Sequence, residues 1–143
     1  MLKTLAKRYF NLFSEKDARH IAEILSEEVV LNDWETTCSG KVEVLNAIQS
    51  IFDNVESIDV KPVNIYCEGS TVISELIITI NNSITELVVD IITFDTNNKI
   101  ISIRAYKGRY RTVDMTWPIS KSNEMLQLTT LIPIDLPYQE NRC

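Results

Sequence analysis

The sequence predicts an α+β domain in which N-terminal helices pack into a curved antiparallel sheet that encloses an apolar pocket. Apolar residues recur at helical spacing in the first half of the chain, and from residue 58 onward they alternate with a period of two. Helices followed by strands that are joined through short turns are typical of α+β domains and argue against a parallel doubly wound sheet. The length of 143 residues suits one domain with its own core.

Three helices are predicted in the first half of the chain. In the first helix, apolar side chains follow steps of three and four residues and therefore share one face: Leu2, Leu5, Tyr9, Leu12 and Phe13. Asp17 is expected to cap a short second helix, and a third helix is expected over residues 41–52. A brief strand at 29–31 and a loop at 36–40 are expected between the second helix and the third.

Four longer strands are predicted in the second half, over residues 58–66, 71–80, 83–95 and 99–110. Turn-forming residues lie between consecutive strands: Glu68-Gly69, Asn81-Asn82 and Thr96-Asn97-Asn98. These short connections predict neighbouring antiparallel strands.

The third of these strands is apolar on both of its faces. Leu87, Val89 and Ile91 point to one side, and Val88, Ile92 and Phe94 point to the other. The helices can cover one face, and no helix is left to cover the second face. A sheet face this apolar needs a cover in water, so we expect a homodimer that forms through the sheet faces.

Composition and charge exclude several classes of partner. The net charge of −6 disfavours nucleic acid and anionic membrane surfaces. There is no apolar run of about 18 residues for a transmembrane helix, and the N-terminus lacks the apolar stretch of a signal peptide, so we expect a cytoplasmic protein.

The three cysteines are far apart without CxxC spacing, and His20 is the sole histidine, on a predicted solvated helix face. No metal and no cofactor are expected.

The last part of the chain differs from the rest. Residues 113–143 combine prolines with many apolar residues, and they are too apolar for a disordered tail. We expect a domain over residues 1–112 and a C-terminal extension over 113–143 that packs on the body or on a partner subunit.

Three polar residues fall at positions that are predicted to be inside. Asp90 shares a strand face with Val88 and Ile92, where a carboxyl group should have a raised pKa and can stay protonated. Tyr9 lies on the inward stripe of the first helix, and Asp33 follows the brief strand. Each also has a structural interpretation: Asp90 facing water or paired with an arginine such as Arg104, Tyr9 as plain core, and Asp33 as a turn-former.

Several blocks of the sequence resemble the steroid delta-isomerase (ketosteroid isomerase) family, within the SnoaL-like, nuclear transport factor 2-like superfamily. They are KRY at 7–9, SEEVVLND at 26–33, VDIITFD at 89–95 and KIISIRAY at 99–106. Members of that family show an acidic residue, an aromatic residue, a turn and then a strand that begins with lysine. The resemblance covers about residues 5 to 110 and implies a cone-shaped, cystatin-like α+β fold.

The resemblance also implies roles for the three polar residues. Tyr9 matches the tyrosine that binds the substrate oxyanion, Asp33 matches the general base, and Asp90 matches the second donor to the oxyanion. A pocket lined by Phe13, Trp34, Val88, Ile92 and Lys107 is expected around them. The chain departs from the family pattern at Trp34, where a proline is usual, and at Ile48, where the family has a supporting tyrosine.

The implied activity is isomerisation of a small hydrophobic carbonyl compound by enolisation. One carboxylate would move the proton, and two neutral donors would stabilise the enolate oxygen. Two alternatives remain open at the level of sequence, because one fold can support several functions. One is a non-catalytic ligand-binding or dimerisation module. The other is an enzyme similar to epoxide hydrolases or polyketide cyclases, with Arg104 and Asp90 as the nearest matching pair.

Overall fold

A computed structural model gives the structure of the chain over residues 1–109. The predicted extension at 113–143 and the end of the last predicted strand lie outside the described residues. The helices are α1 (Leu2–Ser14), α2 (Ala18–Ile24) and α3 (Lys41–Asn54). The strands are β1 (Leu25–Asn32), β2 (Thr37–Ser39), β3 (Ile58–Glu68), β4 (Thr71–Ile80), β5 (Ile84–Phe94) and β6 (Ile100–Lys107).

The predicted helices are confirmed, and their ends have local causes. The Asp17 side chain accepts a hydrogen bond from the backbone N–H of His20 at 3.1 Å and caps α2. Gly40 precedes α3 with a φ of 91°, a left-handed conformation that a residue with a Cβ atom adopts at a cost. No helix within residues 1–109 combines the length and the apolar character that a membrane crossing needs.

The sheet is curved and mixed, with the strand order β2-β1-β6-β5-β4-β3. The β3-β4, β4-β5 and β5-β6 pairs are antiparallel as predicted, but β1 runs parallel to β6. The expectation of a wholly antiparallel sheet is therefore wrong at this pair. The predicted loop at 36–40 contains the short strand β2, which pairs antiparallel with β1.

The core lies between the helices and the inner face of the sheet. Helix α1 is fixed on β3 by Ser14, whose Oγ donates to the Phe10 carbonyl at 3.0 Å and accepts from the Val60 N–H at 2.8 Å. On β5 the buried side chains are Val88, Asp90, Ile92 and Phe94, and they alternate with half-buried residues on the outer face. The period-two prediction for this strand is confirmed residue by residue.

Candidate active site

A cavity of about 230 Å³ lies between the inner face of the sheet and the helices α1 and α3. Most of its wall is apolar. The apolar wall residues are Phe10, Phe13, Leu31, Ile48, Ile51, Ile58, Val60, Leu76, Ile78, Ile80, Val88, Ile103 and Ala105. Sites for drug-sized ligands measure about 300–1,000 Å³, so this cavity suits a small, flat molecule or one end of a larger one.

Tyr9 is placed on the cavity wall by α1. Its ring makes edge contacts with Phe10 and Phe13, with centroid separations of 5.8 and 5.9 Å. Burial raises the pKa of the Tyr9 phenol above its ordinary value, and the negative charges of Asp90 and Asp33 raise it further. Tyr9 is therefore a neutral hydroxyl donor. Its hydroxyl has no hydrogen-bond partner among residues 1–109, although the ring itself belongs to the core.

Asp33 reaches the same cavity from the turn between β1 and β2. Its Oδ1 accepts hydrogen bonds from the backbone N–H groups of Glu35, at 2.8 Å, and of Thr36, at 2.7 Å. The alternative turn-forming role is thus present together with the position at the cavity. Both amides use the same oxygen, so Oδ2 is left without a hydrogen bond from the described part of the chain and is available to a ligand.

Asp90 is held on the wall by β5, an interior strand between β6 and β4. It is 8% exposed, so the alternative of an edge residue facing water is wrong. Burial raises the pKa of Asp90 to about 7, with a smaller contribution from the negative charge of Asp33. The raised pKa that its apolar neighbours predict is confirmed. Near pH 7 a large share of the Asp90 carboxyl groups is protonated and can donate a hydrogen bond.

The alternative pairing of Asp90 with Arg104 is absent. Arg104 lies opposite Ile91 in the β5-β6 register, whereas Asp90 lies opposite Ala105. Residues directly opposite each other share a face, so Arg104 is on the outer face and Asp90 is on the inner face. The Asp-Arg pair of the epoxide hydrolase alternative is therefore not formed.

The cavity rim combines one aromatic residue with charged residues. Trp34, Glu35 and Glu86 line it, and Trp34 is 44% exposed. Lys107 stands just outside the lining. Its Nζ lies 2.9 Å from Glu86 Oε1 and 5.7 Å from the centroid of the Trp34 ring. This ion pair and this cation–π contact hold the side chains of Lys107, Glu86 and Trp34 together at one edge of the opening.

The predicted lining residues divide into two groups. Phe13, Trp34 and Val88 line the cavity. Ile92 and Lys107 lie outside its lining, for different reasons. Ile92 is two residues further along β5, fully buried in the core beyond the cavity. Lys107 is drawn to the rim by Glu86.

Sequence reasoning missed Glu86 and Glu35. Glu86 shares the inner face of β5 with Val88 and Asp90, so the same period-two pattern could have found it. Glu35 has no such signal, because its position depends on the turn that Asp33 forms. No group of three or more His, Cys, Asp or Glu within residues 1–109 is arranged to hold a metal ion.

The sequence profile of the SnoaL-like domain matches residues 6–103, which is more than half of the chain. The chain belongs to the SnoaL-like domain family. No curated protein matches this SnoaL-like chain at a significant level.

Solved structures resemble this SnoaL-like domain in fold. An NTF2-like protein of unknown function from Cytophaga hutchinsonii is 14% identical with a TM-score of 0.65, and the match covers 76% of this chain and 90% of that one. A proposed ketosteroid isomerase from Kribbella flavida is 12% identical with a TM-score of 0.67, and the match covers 82% of this chain and 86% of that one. An LEH-like epoxide hydrolase from M. tuberculosis is 14% identical with a TM-score of 0.64, and the match covers 90% of this chain and 92% of that one.

Other structural relatives carry the name of proposed polyketide cyclases. At such low identities these likenesses show the fold, which is the α+β fold of the NTF2-like proteins. The predicted superfamily and fold class are therefore confirmed. The relatives bear the names of different enzymes, so the fold alone does not assign an activity to this chain.

Proposed function

We propose that this SnoaL-like domain is an isomerase of the ketosteroid isomerase type, which moves a double bond in a small hydrophobic carbonyl compound by enolisation. The observation that supports this most is that Tyr9, Asp33 and Asp90 line one apolar cavity. Within residues 1–109, neither the Tyr9 hydroxyl nor the Asp90 carboxyl has a hydrogen-bond partner. A cavity of this kind offers a ligand two neutral donors and one carboxylate.

Asp33 is the proposed general base. Its Oδ2 would take a proton from the carbon between the carbonyl group and the double bond of a β,γ-unsaturated ketone. The C–H electron pair then forms a new carbon–carbon double bond, and the carbonyl π electrons move onto oxygen to give a dienolate. Return of the same proton to the γ carbon gives the conjugated ketone, so one carboxyl group serves as base and then as acid.

Tyr9 and protonated Asp90 are the proposed donors to the dienolate oxygen. Both are neutral, so they stabilise the developing charge without drawing the Asp33 carboxylate into an ion pair. Donors that are fixed in a water-poor cavity act strongly on such a charge, and the loss of one typically lowers kcat by about 10²–10³-fold.

The substrate class follows from the charge of the lining. Asp33, Glu35, Glu86 and Asp90 line the cavity, and its lining contains no lysine, arginine or histidine among the described residues. A carboxylate or phosphate on the substrate would be repelled by those of these acids that are ionised. We therefore propose a neutral ketone of about one or two rings as the part of the substrate that enters.

The assay measures the ultraviolet absorbance of the conjugated ketone that forms from a β,γ-unsaturated ketone, using both a steroid and a monocyclic compound. Asp33→Asn should lower kcat by at least about 10²-fold because it removes the base. Asp59→Asn, an acid-to-amide change on an exposed position of β3, is the matched control. Equal rates for wild type and Asp33→Asn would exclude Asp33 as the base.

Inactivity of the wild type on both compounds would favour the ligand-binding alternative. In that case a neutral phenol should still raise the melting temperature, because the cavity and its donors remain. The epoxide hydrolase alternative predicts the opening of an epoxide to a diol by the same cavity.

We also propose that the protein is a homodimer that forms through the outer face of the sheet. Leu87, Val89 and Ile91 are half-buried there, and Tyr106 is 55% exposed on the neighbouring strand. The proposed extension at 113–143 would pack on this body or on the partner subunit.

A further inference from the structure

Ser74 is a buried polar residue that the proposed mechanism does not use. It lies on the inner face of β4 and is 0% exposed. Its Oγ has no hydrogen-bond partner within the described part of the chain. A hydroxyl that is buried without a partner destabilises the folded state, so native proteins rarely keep one without a reason.

The strand register places Ser74 directly opposite Asp90. In the same row across the sheet, Ile65 is on the other side of Ser74, and Ala105 is on the other side of Asp90. Asp90 is therefore the polar side chain beside the Ser74 hydroxyl. Side chains directly opposite in an antiparallel pair have Cβ atoms about 4.5–5.5 Å apart, so rotation about the side-chain bonds can bring the two groups into hydrogen-bond range.

We propose that Ser74 is a positioning residue for Asp90 and that its hydroxyl hydrogen-bonds the Asp90 carboxyl group from the core side. When Asp90 is protonated, Ser74 donates to the carbonyl oxygen of the acid. The proton then sits on the other oxygen, which is free to face the cavity and to donate to a ligand. Ser74 thus decides which oxygen of Asp90 serves as the donor.

Other charged and titratable groups line the same cavity as Asp90 or stand at its edge. They are Tyr9 on α1, Asp33 and Glu35 in the turn after β1, Glu86 on β5 and Lys107 on β6. None of them makes a hydrogen bond to Asp90, and Lys107 is held by Glu86. Ser74 differs from all of them in two ways. It lies directly opposite Asp90 in the strand register, and its hydroxyl has no other hydrogen-bond partner within the described part of the chain.

The test measures the pKa of the Asp90 carboxyl group in the full-length protein. The NMR signal of the carboxyl carbon is followed as the pH changes, and the signal is assigned through Asp90→Asn. Ser74→Ala should raise the pKa of Asp90 by about one unit, because it removes a donor that stabilises the ionised form. Ser102→Ala, a serine on the outer face of β6, is the matched control and should leave it unchanged.

A second pair of variants separates the hydroxyl from the volume. Ser74→Thr and Ser74→Val have the same shape, and only threonine keeps a hydroxyl. The pKa of Asp90 should therefore be higher in Ser74→Val than in Ser74→Thr. If the proposed activity is present, Ser74→Val should lower kcat more than Ser74→Thr does, with little change in KM.

The proposal is overturned if Ser74→Ala and Ser74→Val shift the Asp90 pKa no more than Ser102→Ala does, or shift it downward. A truly unpartnered hydroxyl would give that result together with a raised melting temperature in Ser74→Ala. The catalytic consequence rests on the proposed isomerase function. The NMR titration needs no turnover, so a failure of Ser74 and a failure of the isomerase activity can be told apart.

Discussion

At the scale of single residues, Asp90 shows how much an alternating pattern can reveal. Its neighbours Val88 and Ile92 on the same strand face predict a buried carboxyl group, and the structure confirms its burial and its raised pKa. Strand alternation fixes the face on which a side chain lies, so the prediction needed no knowledge of strand partners. Ser74 lies beside Asp90 through pairing between two strands, and this neighbour could not be predicted without the register.

The raised pKa of Asp90 predicts a particular pH dependence of stability. In the unfolded chain the carboxyl titrates near 3.8, and in the folded chain near 7. Between these values the folded state holds a proton that the unfolded state has lost. Stability therefore falls as the pH rises from about 4 through about 7, by about 4 kcal/mol at most, and this contribution stays lost above that range.

Asp90→Asn removes this pH-dependent loss of stability, because the amide stays neutral at every pH. In urea unfolding at several pH values, the variant should match wild type most closely near pH 4 and should become progressively more stable than wild type toward pH 8. Asp59→Asn is the control for the change of an exposed acid. A difference between Asp90→Asn and wild type that is the same at every pH would contradict the assigned titration.

At the scale of elements, the local patterns predicted the helices and the long strands, but they did not predict the pairing at one edge. The parallel pair of β1 and β6 joins segments that are far apart in sequence, and periodicity identifies a strand face without naming its neighbour. The strand β2 was missed because its three residues are too few to show a period. The turn of Asp33 lies between β1 and β2, so the position of this proposed base at the cavity depends on these two unpredicted features.

Ser14 links two elements and provides an element-scale prediction. Ser14→Ala leaves the Val60 N–H of β3 without its partner on α1, and should lower the free energy of unfolding by about 1–3 kcal/mol. Because α1 carries Tyr9, ligand affinity should also fall. Urea unfolding measures the first effect, and Ser50→Ala on the exposed side of α3 is the control. Equal stability of Ser14→Ala and Ser50→Ala would show that the link is unimportant.

At the scale of the whole molecule, the composition and the order of elements were enough to predict the fold class. The family match and the solved relatives confirm it. Oligomeric state is different, because an apolar sheet face shows that a cover is needed without showing which molecule supplies it. The homodimer therefore stays a prediction.

Val89→Lys tests the dimer. It places a charge on the half-buried outer face of β5, away from the cavity, so it should convert a dimer into a monomer while the fold is retained. Analytical ultracentrifugation measures the mass, and circular dichroism checks the fold. Val42→Lys, the same change at a 70% exposed position of α3, is the control. A monomeric wild type would contradict the predicted assembly directly.

The central claim is that Tyr9 and Asp90 offer hydrogen bonds to the same ligand oxygen inside the cavity. Isothermal titration calorimetry with a neutral planar phenol, such as a naphthol, tests it most directly. Tyr9→Phe and Asp90→Leu should each weaken binding about tenfold, which corresponds to the loss of one hydrogen bond, while Asp59→Asn binds as wild type does. Equal affinities in all four proteins, or no binding by wild type, would contradict the claim.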